Sequence, residues 1–432
     1  MNAAVISIGD EIACGDRVDT NSAWIARRLS ARGVRVTRQL SLPDDRAIIA
    51  AALRSTIGAV EVVVATGGLG PTGDDLTRFA LADVLGEDLE NDEEALATLR
   101  ARFDRRGMEM AESNRVQALR PPSARFLPNP LGTAQGLDAE RGARMFFLPG
   151  VPPEMMKMYD EQVAPALETL DPSAGARVVR AATVQAVSIA ESRVADLLKD
   201  LLDRREPPLV GTLVSDGVLS VRIRHEGSAT EVDERVCATS ATIRERLGPY
   251  VYGADDEPLA VSVLRRLVAD QATLVTAESC TGGMLGAMIT DSPGASEAYL
   301  GGWQTYANAM KTSQLGVPAK LIRSRGAVSA EVAEAMAQGA LERGGADFAL
   351  SITGVAGPEG GSEEKPVGTV YLGLAYRRVD GRDEDGVTVR RFEFSGDRDM
   401  IRRRSATSAL AMLVFHLDHR GSLPEMLWER SD

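Results

Sequence analysis

The length, composition and charge of this chain exclude several classes of protein. Its 432 residues are 44% hydrophobic and 4% aromatic, which is enough apolar material for the cores of two or three globular domains. A formal net charge of −13 argues against direct nucleic-acid binding through a broad basic surface. The three cysteines, Cys14, Cys237 and Cys280, lie too far apart in sequence to predict a disulfide framework or a zinc site.

The sequence carries no recognisable targeting or membrane segment. Residues 1–8 enter a strand-like pattern directly, without the basic leader of a signal peptide. No apolar run approaches the length that a membrane-spanning helix needs. We therefore expect a cytoplasmic protein in a reducing compartment, without a membrane partner.

Strand-like and helix-like segments alternate through the first part of the chain. Apolar runs predict strands at residues 3–8, 34–40, 60–66 and 144–148. Caps and apolar periodicity predict helices at residues 19–32, 46–57, 93–105 and 153–170. Such alternation is typical of a parallel sheet that helices cover on both faces.

Two polar segments predict the domain boundaries. Residues 171–175 are typical of a linker, and residues 252–258 form a second junction. Between them, strands at 178–184 and 218–224 and helices at 190–202 and 231–247 predict a small α+β domain. Beyond them the α/β alternation resumes. The predicted fold class is therefore α/β, with two three-layer α/β domains of mainly parallel sheets, residues 1–171 and 255–432, joined by an α+β domain of residues 172–254.

A glycine-rich loop that ends in two aspartates follows the predicted strand at 60–66. Residues 66–75 join this strand to a helix, and their glycines allow a ligand to approach the backbone closely. Pro71 and the lack of a Gly-Lys-Ser/Thr sequence distinguish the loop from dinucleotide and P-loop motifs. Asp74 and Asp75 suit a metal-bridged diphosphate, although capping of the following helix explains them equally well.

Three further turns could close the same pocket. Residues 9–11 end the first strand, where ligands gather in open α/β sheets. Residues 128–132 and 148–152 are proline- and glycine-containing loops at the ends of other elements. Purely structural turns would explain all three.

The turn after the predicted strand at 272–277 carries a candidate nucleophile. Ser279 precedes Gly282 and Gly283, which open a helix. The free amides of such a helix start, together with Thr281, could hold an oxyanion. The chain has three histidines and none is close in sequence to this turn, so a lysine or tyrosine must be considered as the base.

Lys311 is the candidate base for Ser279. It follows Tyr306, which ends a predicted strand, by one to two helical turns. A lysine whose pKa is lowered by burial can deprotonate a serine without histidine or metal. Cys280 is a rival nucleophile, and Ser279 and Lys311 could instead be a helix cap and a surface lysine.

Residues elsewhere in the last domain could complete this second site. Thr353 and Gly354 end another predicted strand and could line the pocket. Arg398 and Arg402 are four residues apart, so they share one helix face and could hold a phosphate. An exposed basic face is the alternative for these arginines.

These motifs, taken together and in this order, resemble the CinA family over essentially the whole chain. The first domain resembles molybdopterin-binding domains through residues 9–11, 19–21, 66–72, 74–75 and 148–152. The middle domain resembles the KH-like domain of the family, although it has no Gly-x-x-Gly loop. The last domain resembles nicotinamide mononucleotide deamidase domains through residues 278–283, 305–306, 311, 326–329, 351–358, 360–368 and 395–398.

The resemblance implies that the last domain converts nicotinamide mononucleotide into nicotinic acid mononucleotide and ammonia without a cofactor. Ser279 would be the nucleophile and Lys311 its base, and Tyr306 would assist proton transfer or hold the lysine. Oxyanion and substrate binding would fall to Glu278, Thr281, Gly282, Gly283, Thr353, Gly354, Arg398 and Arg402.

For the first domain, the resemblance implies hydrolysis of ADP-ribose to AMP and ribose 5-phosphate. This reaction would require a divalent metal, alone or with potassium, near Asp74 and Asp75. The implied nucleotide-binding residues are Gly9, Asp10, Glu11, Asn21, Gly67, Gly68, Gly70, Thr72, Asn129 and Gly150. The family also implies a homodimer.

Two other functions stay open at this stage. The chain could be a non-catalytic accessory protein in competence or recombination that acts through protein contacts. Alternatively, its first domain could serve molybdenum-cofactor synthesis by adenylylating molybdopterin.

Overall fold

The chain forms two compact units. The computed structural model describes residues 1–170, 178–203, 205–377, 385–419 and 423–430. One unit comprises Met1–Arg180 with Glu226–Asp233, and the other comprises Ala181–His225 with Glu234–Asp432. The linker predicted at residues 171–175 lies outside the described residues. No helix in the described ranges is long and apolar enough to cross a membrane.

The first α/β domain contains the strand and helix alternation that its sequence predicts. Its strands are β1 (Asn2–Ile8), β2 (Arg35–Leu42), β3 (Val62–Thr66), β4 (Glu90–Asn91), β5 (Leu119–Arg120), β6 (Arg125–Leu127), β7 (Gly136–Glu140) and β8 (Arg144–Leu148). Its helices are α1 (Asp10–Ala13), α2 (Thr20–Ala31), α3 (Arg46–Thr56), α4 (Thr77–Leu85), α5 (Glu93–Arg105), α6 (Pro152–Met158) and α7 (Ala164–Leu170), with a π-helical turn at Tyr159–Val163.

A six-stranded sheet in the order β2-β1-β3-β8-β7-β6 is the centre of this domain. The first four strands are parallel, and β7 and β6 extend the sheet in the antiparallel sense. Alternate residues of β1 belong to two different apolar clusters, Ala4 and Ile6 to one and Ala3 and Val5 to the other. Because successive strand residues point to opposite faces, both faces are covered and the predicted three-layer arrangement is confirmed.

The middle segment is a small α+β element, as predicted. Its strands are β9 (Val178–Val187), β10 (Leu209–Ser215), β11 (Val218–Gly227) and β12 (Val251–Ala254), in the order β10-β11-β9-β12, and its helices are α8 (Glu191–Leu197) and α9 (Ala229–Leu247). The junction predicted at 252–258 begins later than expected, because Tyr252 is buried in β12, which pairs antiparallel with β9. Sequence reasoning also missed β10, and α8 ends before the predicted residue 202.

The last domain contains a second mixed six-stranded sheet in the order β14-β13-β15-β16-β17-β18. Its strands are β13 (Leu274–Glu278), β14 (Tyr299–Gln304), β15 (Phe348–Gly354), β16 (Thr369–Tyr376), β17 (Gly386–Glu393) and β18 (Glu429–Arg430). Its helices are α10 (Leu259–Ala269), α11 (Met284–Thr290), α12 (Asn308–Leu315), α13 (Ala319–Arg325), α14 (Ala330–Gly344) and α15 (Arg398–His419).

The register of the parallel strands brings the predicted catalytic residues to one edge of this sheet. β13 pairs in parallel with β14 and with β15, and Glu278 lies opposite both Gln304 and Ile352. The chain therefore leaves β13 after Glu278 and β14 after Gln304 at the same level, while β15 continues to Gly354. Carboxyl ends of adjacent parallel strands are where α/β folds place their ligands.

The helix that carries Lys311 packs very closely against α14. A Cβ atom added to Gly339 of α14 would collide with the carbonyl oxygen of Leu315, the last residue of α12. Gly339 thus permits an approach between the two helices that no larger residue would allow, and this approach helps to set the position of α12.

We expect Gly339→Ala to destabilise the protein, although alanine favours helices over glycine by ~1 kcal/mol. Overpacking against the Leu315 carbonyl should cost about 1–3 kcal/mol and lower the midpoint of thermal unfolding. Gly211→Ala is the matched control, because a Cβ atom at Gly211 meets nothing within 4 Å. A Gly339→Ala protein as stable as this control would contradict the proposed close packing.

Candidate functional site

The turn at Ser279 is anchored directly to the sheet. The Ser279 amide donates to the Ile352 carbonyl oxygen of β15 at 3.0 Å, and the Gly282 amide donates to the Ser279 carbonyl oxygen at 3.1 Å. Gly282 and Gly283 have φ angles of +61° and +97°, which glycine adopts without strain. The chain therefore reverses within four residues and enters α11.

The carboxylate of Glu278 holds this turn to the start of α11. It is buried, and it accepts hydrogen bonds from the backbone amides of Gly283, Leu285 and Gly286 at 3.0, 3.0 and 2.9 Å. A carboxylate at a helix start satisfies donors that have no partner in the helix and interacts favourably with its dipole. Glu278 is thus engaged by the backbone, and the Gly283 amide, an expected oxyanion donor, is already used.

Arg402 holds the same turn from α15. Its Nη2 atom donates to the Thr281 carbonyl oxygen at 2.7 Å, which also accepts from the Met284 amide at 3.3 Å. The Thr281 side chain is fully buried, and its hydroxyl has no hydrogen-bond partner among the described residues. Arg402 therefore lies next to the predicted nucleophile, but its guanidinium contacts the protein backbone.

Ser279 and Lys311 form the predicted pair. Lys311 Nζ lies 2.9 Å from Ser279 Oγ, and it also contacts the carbonyl oxygens of Thr305 at 2.9 Å and Tyr306 at 3.4 Å. Only 1% of Lys311 and 8% of Ser279 is exposed. The backbone carbonyls at the end of β14 thus aim the amine at the serine hydroxyl.

Burial changes the acid–base chemistry of this site in two ways. It lowers the pKa of Lys311 below the usual value of 10.5, because an ammonium is costly to desolvate. It raises the pKa of Cys280 to about 12, because the same burial disfavours a thiolate. Lys311 is therefore suited to be a neutral base, whereas Cys280 is a poor nucleophile.

Tyr306 and Arg398 lie at the exposed side of the pair. The hydroxyl of Tyr306 is 3.1 Å from Arg398 Nη2, and Arg398 Nη1 donates to the Gly357 carbonyl oxygen. Tyr306 thus contacts Lys311 only through its backbone oxygen. Thr353 donates its hydroxyl to the Ala327 carbonyl oxygen at 2.7 Å, so it links β15 to the segment before α14.

Several residues of this site escape sequence reasoning because they act through backbone atoms. The carbonyl groups of Thr305, Ile352 and Gly357 orient Lys311, Ser279 and Arg398 respectively. A backbone acceptor leaves no residue-type signal, since every residue has one. The strand ends themselves were the only sequence signal that could have located them.

A cleft of about 530 Å³ in the first domain is lined by several of the predicted nucleotide-binding residues. Its lining includes Gly9, Glu11, Gly67, Gly68, Gly70, Asp74, Asp75 and Gly150. Asp10 lies beside it; its backbone amide donates to the Asp44 carboxylate, and the Asp44 amide donates to the Asp10 carboxylate. Asn21 borders an adjacent small cavity and donates to the Gly150 carbonyl oxygen, and Asn129 lines a separate pocket.

The glycine loop of this cleft is fixed by Asp75. Its carboxylate accepts from the amides of Gly70 at 2.7 Å and Thr72 at 2.8 Å, and also from the Thr72 hydroxyl. The fully buried Arg78 donates to the Leu69 carbonyl oxygen of the same loop. The following helix begins at Thr77 and has no side-chain cap, so the helix-capping alternative for the two aspartates is wrong.

The cleft is rich in negative charge but lacks a preformed metal centre. Burial raises the pKa of Asp44, and the nearby carboxylates of Asp10, Asp74 and Glu11 raise it further. Among the described residues, no group of three or more histidine, cysteine or acidic side chains is arranged to hold a metal. Such a site suits an ion like Mg²⁺, which binds to one or two protein carboxylates. Substrate phosphates and water supply its other ligands.

Comparison with protein families identifies three consecutive domain types. A family model described as "Probable molybdopterin binding domain" matches residues 4–169. The model of the damage-inducible protein CinA KH domain matches residues 182–253, and that of the CinA C-terminal domain matches residues 256–417. The Ser279 site lies within the last of these matches.

Relatives match along almost the whole chain. A CinA-like protein of Geobacter sp. is 44% identical over 425 residues, which are 98% of this chain and 99% of the relative. A CinA-like protein of Geobacter metallireducens is 43% identical over 420 residues, with 96% and 98% coverage. The chain therefore belongs to the CinA family.

Solved structures of similar proteins each match less than two fifths of this chain. The CinA protein of Thermoplasma acidophilum is 38% identical, covers 38% of this chain and 96% of its own, and has a TM-score of 0.36. A CinA superfamily protein from Klebsiella pneumoniae is 34% identical, with 37% and 96% coverage and a TM-score of 0.35.

The lowered pKa of Lys311 predicts a pH-dependent stability difference between the wild type and Lys311→Met. Between the folded-state pKa and 10.5, the unfolded chain binds more protons at this position than the folded chain. The wild type should therefore gain stability relative to Lys311→Met as pH rises towards 10.5. Thermal midpoints of both proteins, measured from pH 6 to pH 10, test this expectation.

Lys320, which is exposed on α13, provides the control for this measurement. Lys320→Met should leave the pH dependence of the thermal midpoint unchanged, because its ammonium is solvated in both states. A constant difference between the wild type and Lys311→Met across the pH range would contradict the burial argument.

Proposed function

We propose that the Ser279 site is an amidohydrolase that converts nicotinamide mononucleotide into nicotinic acid mononucleotide and ammonia. The observation that carries the proposal is the 2.9 Å contact between Lys311 Nζ and Ser279 Oγ at a buried turn. Membership of the CinA family, together with the motif resemblance to nicotinamide mononucleotide deamidase domains, supports this choice of substrate.

The proposed reaction has two stages that use the same base. Neutral Lys311 accepts the Ser279 proton while Oγ attacks the carboxamide carbon. The resulting ammonium returns the proton to the leaving nitrogen, which departs as ammonia and leaves a serine ester. Lys311 then accepts one proton of a water molecule that attacks the ester, and it returns that proton to Ser279 Oγ as the carboxylic acid departs. The acid loses the second proton of the water to solvent and becomes the carboxylate product. No metal or cofactor enters this scheme.

Thr281 is the proposed donor to the developing oxyanion. The amides of Ser279, Gly282 and Gly283 already donate to protein acceptors. The Thr281 hydroxyl, in contrast, is buried without a partner among the described residues and belongs to the turn that carries the nucleophile. A donor held in place before the reaction stabilises the charge of the tetrahedral intermediate without reorganisation.

Arg398 is the proposed phosphate ligand. Arg402 donates a hydrogen bond to the Thr281 carbonyl oxygen. Arg398 is exposed, and two of its nitrogens donate to the Gly357 carbonyl oxygen and the Tyr306 hydroxyl. A guanidinium has five N–H donors, so Arg398 retains donors for a phosphate.

For the first domain, we propose metal-dependent hydrolysis of ADP-ribose to AMP and ribose 5-phosphate. The crowding of carboxylates around Asp44 in the glycine-loop cleft supports this proposal, because a diphosphate could enter such a cleft only with its charge compensated. Asp74 would contact the divalent metal, alone or with potassium, which would neutralise the diphosphate. Asp75 would keep the loop in place.

The proposal also includes a cytoplasmic location and a homodimer. Three free cysteines and nucleotide substrates suit a reducing compartment. An accessory role in competence or recombination is the alternative, and a protein that turns over neither nucleotide would favour it. Adenylylation of molybdopterin by the first domain would support the cofactor-synthesis alternative instead.

Ser279→Ala should lower kcat for nicotinamide mononucleotide by at least about a thousandfold, because the nucleophile is lost. Cys280→Ala should stay within about threefold of the wild type, since the thiol pKa of about 12 keeps it protonated. The rate of ammonia release measures kcat of both variants. The kcat of the wild type should rise as the pH passes through the lowered pKa of Lys311, because the neutral amine is the base. Persistent activity of Ser279→Ala with loss in Cys280→Ala would reverse the assignment.

Asp74→Asn and Asp75→Asn should separate metal binding from loop structure. Asp74→Asn should reduce ADP-ribose hydrolysis about tenfold or more, raise the metal concentration required and leave the thermal midpoint unchanged. Asp75→Asn should lower both activity and thermal midpoint, because an amide has one acceptor oxygen in place of two. Unchanged metal dependence in Asp74→Asn would exclude it as a ligand.

A further inference from the structure

Tyr306 presents an exposed aromatic ring beside a buried reactive pair. Its side chain is 63% exposed, whereas its backbone oxygen lies 3.4 Å from Lys311 Nζ, a group that is almost completely buried. Aromatic side chains commonly line ligand sites, and aromatic residues make up only 4% of this chain. A ring exposed beside the reactive pair is therefore a candidate for contact with the substrate.

The hydroxyl of Tyr306 is directed away from the proton-transfer pair. The hydrogen-bonding contacts of Lys311 Nζ are Ser279 Oγ and the carbonyl oxygens of Thr305 and Tyr306. The Tyr306 hydroxyl instead meets Arg398 Nη2 at 3.1 Å. Its ring is thus held at both ends, by its backbone near the base and by its hydroxyl near the arginine.

A second exposed apolar residue lies near the contact between Arg398 and Gly357. Val367 is 37% exposed. Val367 lies close to Gly357, because a Cβ atom at Gly357 would be 2.6 Å from its Cγ1. Gly357 accepts a hydrogen bond from Arg398, so Val367 and Tyr306 flank this arginine. An apolar rim with one fixed cation is typical of a site for a flat ring that carries an anionic tail.

We propose that the ring face of Tyr306 binds the pyridinium ring of the substrate through a cation–π contact. This inference rests on the proposed deamidase function and makes Tyr306 a specificity-determining residue instead of a proton relay. A tyrosine face attracts a flat cation, and the strength of the attraction rises as the pair is desolvated.

The consequence is selectivity for the charge of the ring. Nicotinamide mononucleotide and its reduced form have nearly the same shape, but the dihydropyridine ring of the reduced form is neutral. The wild type should therefore bind the oxidised form more tightly, and this preference should depend on the ring of Tyr306 and not on its hydroxyl.

The test compares Tyr306→Leu with Tyr306→Phe on both ligands. Tyr306→Leu should raise KM for nicotinamide mononucleotide about tenfold with kcat within about threefold of wild type. The inhibition constant of the reduced form should stay within about threefold, so the preference for the cation disappears. Tyr306→Phe keeps the ring but loses the hydroxyl contact with Arg398, so it should keep the preference for the oxidised form within about threefold, and any rise in KM should be matched by the inhibition constant of the reduced form. Leu300→Ala, an exposed residue of β14, is the control and should change none of them.

Three results would overturn the inference. One is a large fall of kcat in Tyr306→Phe with KM unchanged, which would assign the hydroxyl to proton transfer. Another is an unchanged preference for the oxidised form in Tyr306→Leu at an unchanged thermal midpoint. The third is equal affinity of the wild type for both forms.

The failure of the proposed function can be told apart from the failure of this inference. Calorimetric titration of the wild type and Tyr306→Leu with both forms reports binding without turnover. A wild type that binds the oxidised form selectively through Tyr306 but releases no ammonia would overturn the deamidase proposal and support the inference. A wild type that binds neither form would overturn both.

Discussion

The burial of a single amine is the constraint on which the last domain depends. Lys311 Nζ is almost inaccessible to water, and its contacts are two backbone carbonyl groups and one serine hydroxyl. A permanently charged group in this place would need a carboxylate partner to offset its desolvation. The described contacts supply none, so the site favours a neutral amine, which is the form that can remove a proton from Ser279.

Charged residues around the nucleophile hold its turn in place through backbone groups. Glu278 and Arg402 carry opposite charges and both bind backbone groups of the turn, the carboxylate its amides and the guanidinium a carbonyl. Each charge is therefore satisfied by a peptide dipole and not by the other charge. The Ser279 hydroxyl keeps Lys311 as its partner, and the turn is rigid without a direct ion pair.

Sequence reasoning located the elements and the reacting pair, because both depend on local signals. Apolar runs marked β1, β3, β13 and β15. Residue type and position made Ser279 and Lys311 candidates, and the family resemblance favoured this pair over Cys280 and over a helix cap with a surface lysine. The short strands β6 and β12 escaped because their three and four residues are no longer than an ordinary loop. β10 has seven residues, but only Val210 of them is buried, so its sequence shows no regular apolar alternation. Their conformation depends on pairing with other strands of the sheet, and a single sequence does not show which segments pair.

The roles of charged residues near the sites were harder to predict for a related reason. Asp75 is predicted as a metal ligand from its residue type and Glu278 as a substrate ligand from the family resemblance, yet the structure gives both of them backbone amides as partners. Which carboxylate faces a ligand and which faces the protein depends on where folded amide groups point. Side-chain identity carries no information on that point.

The composition of the chain gives the position of Lys311 a wider meaning. The sequence contains five lysines and 44 arginines, so guanidinium groups carry most of its positive charge. An arginine does not lose its proton in a protein, however deeply it is buried. The Lys311 position thus requires a basic residue that can lose its proton. Arginine is the commoner basic residue of this chain, but at this position it would keep its charge and could not deprotonate Ser279.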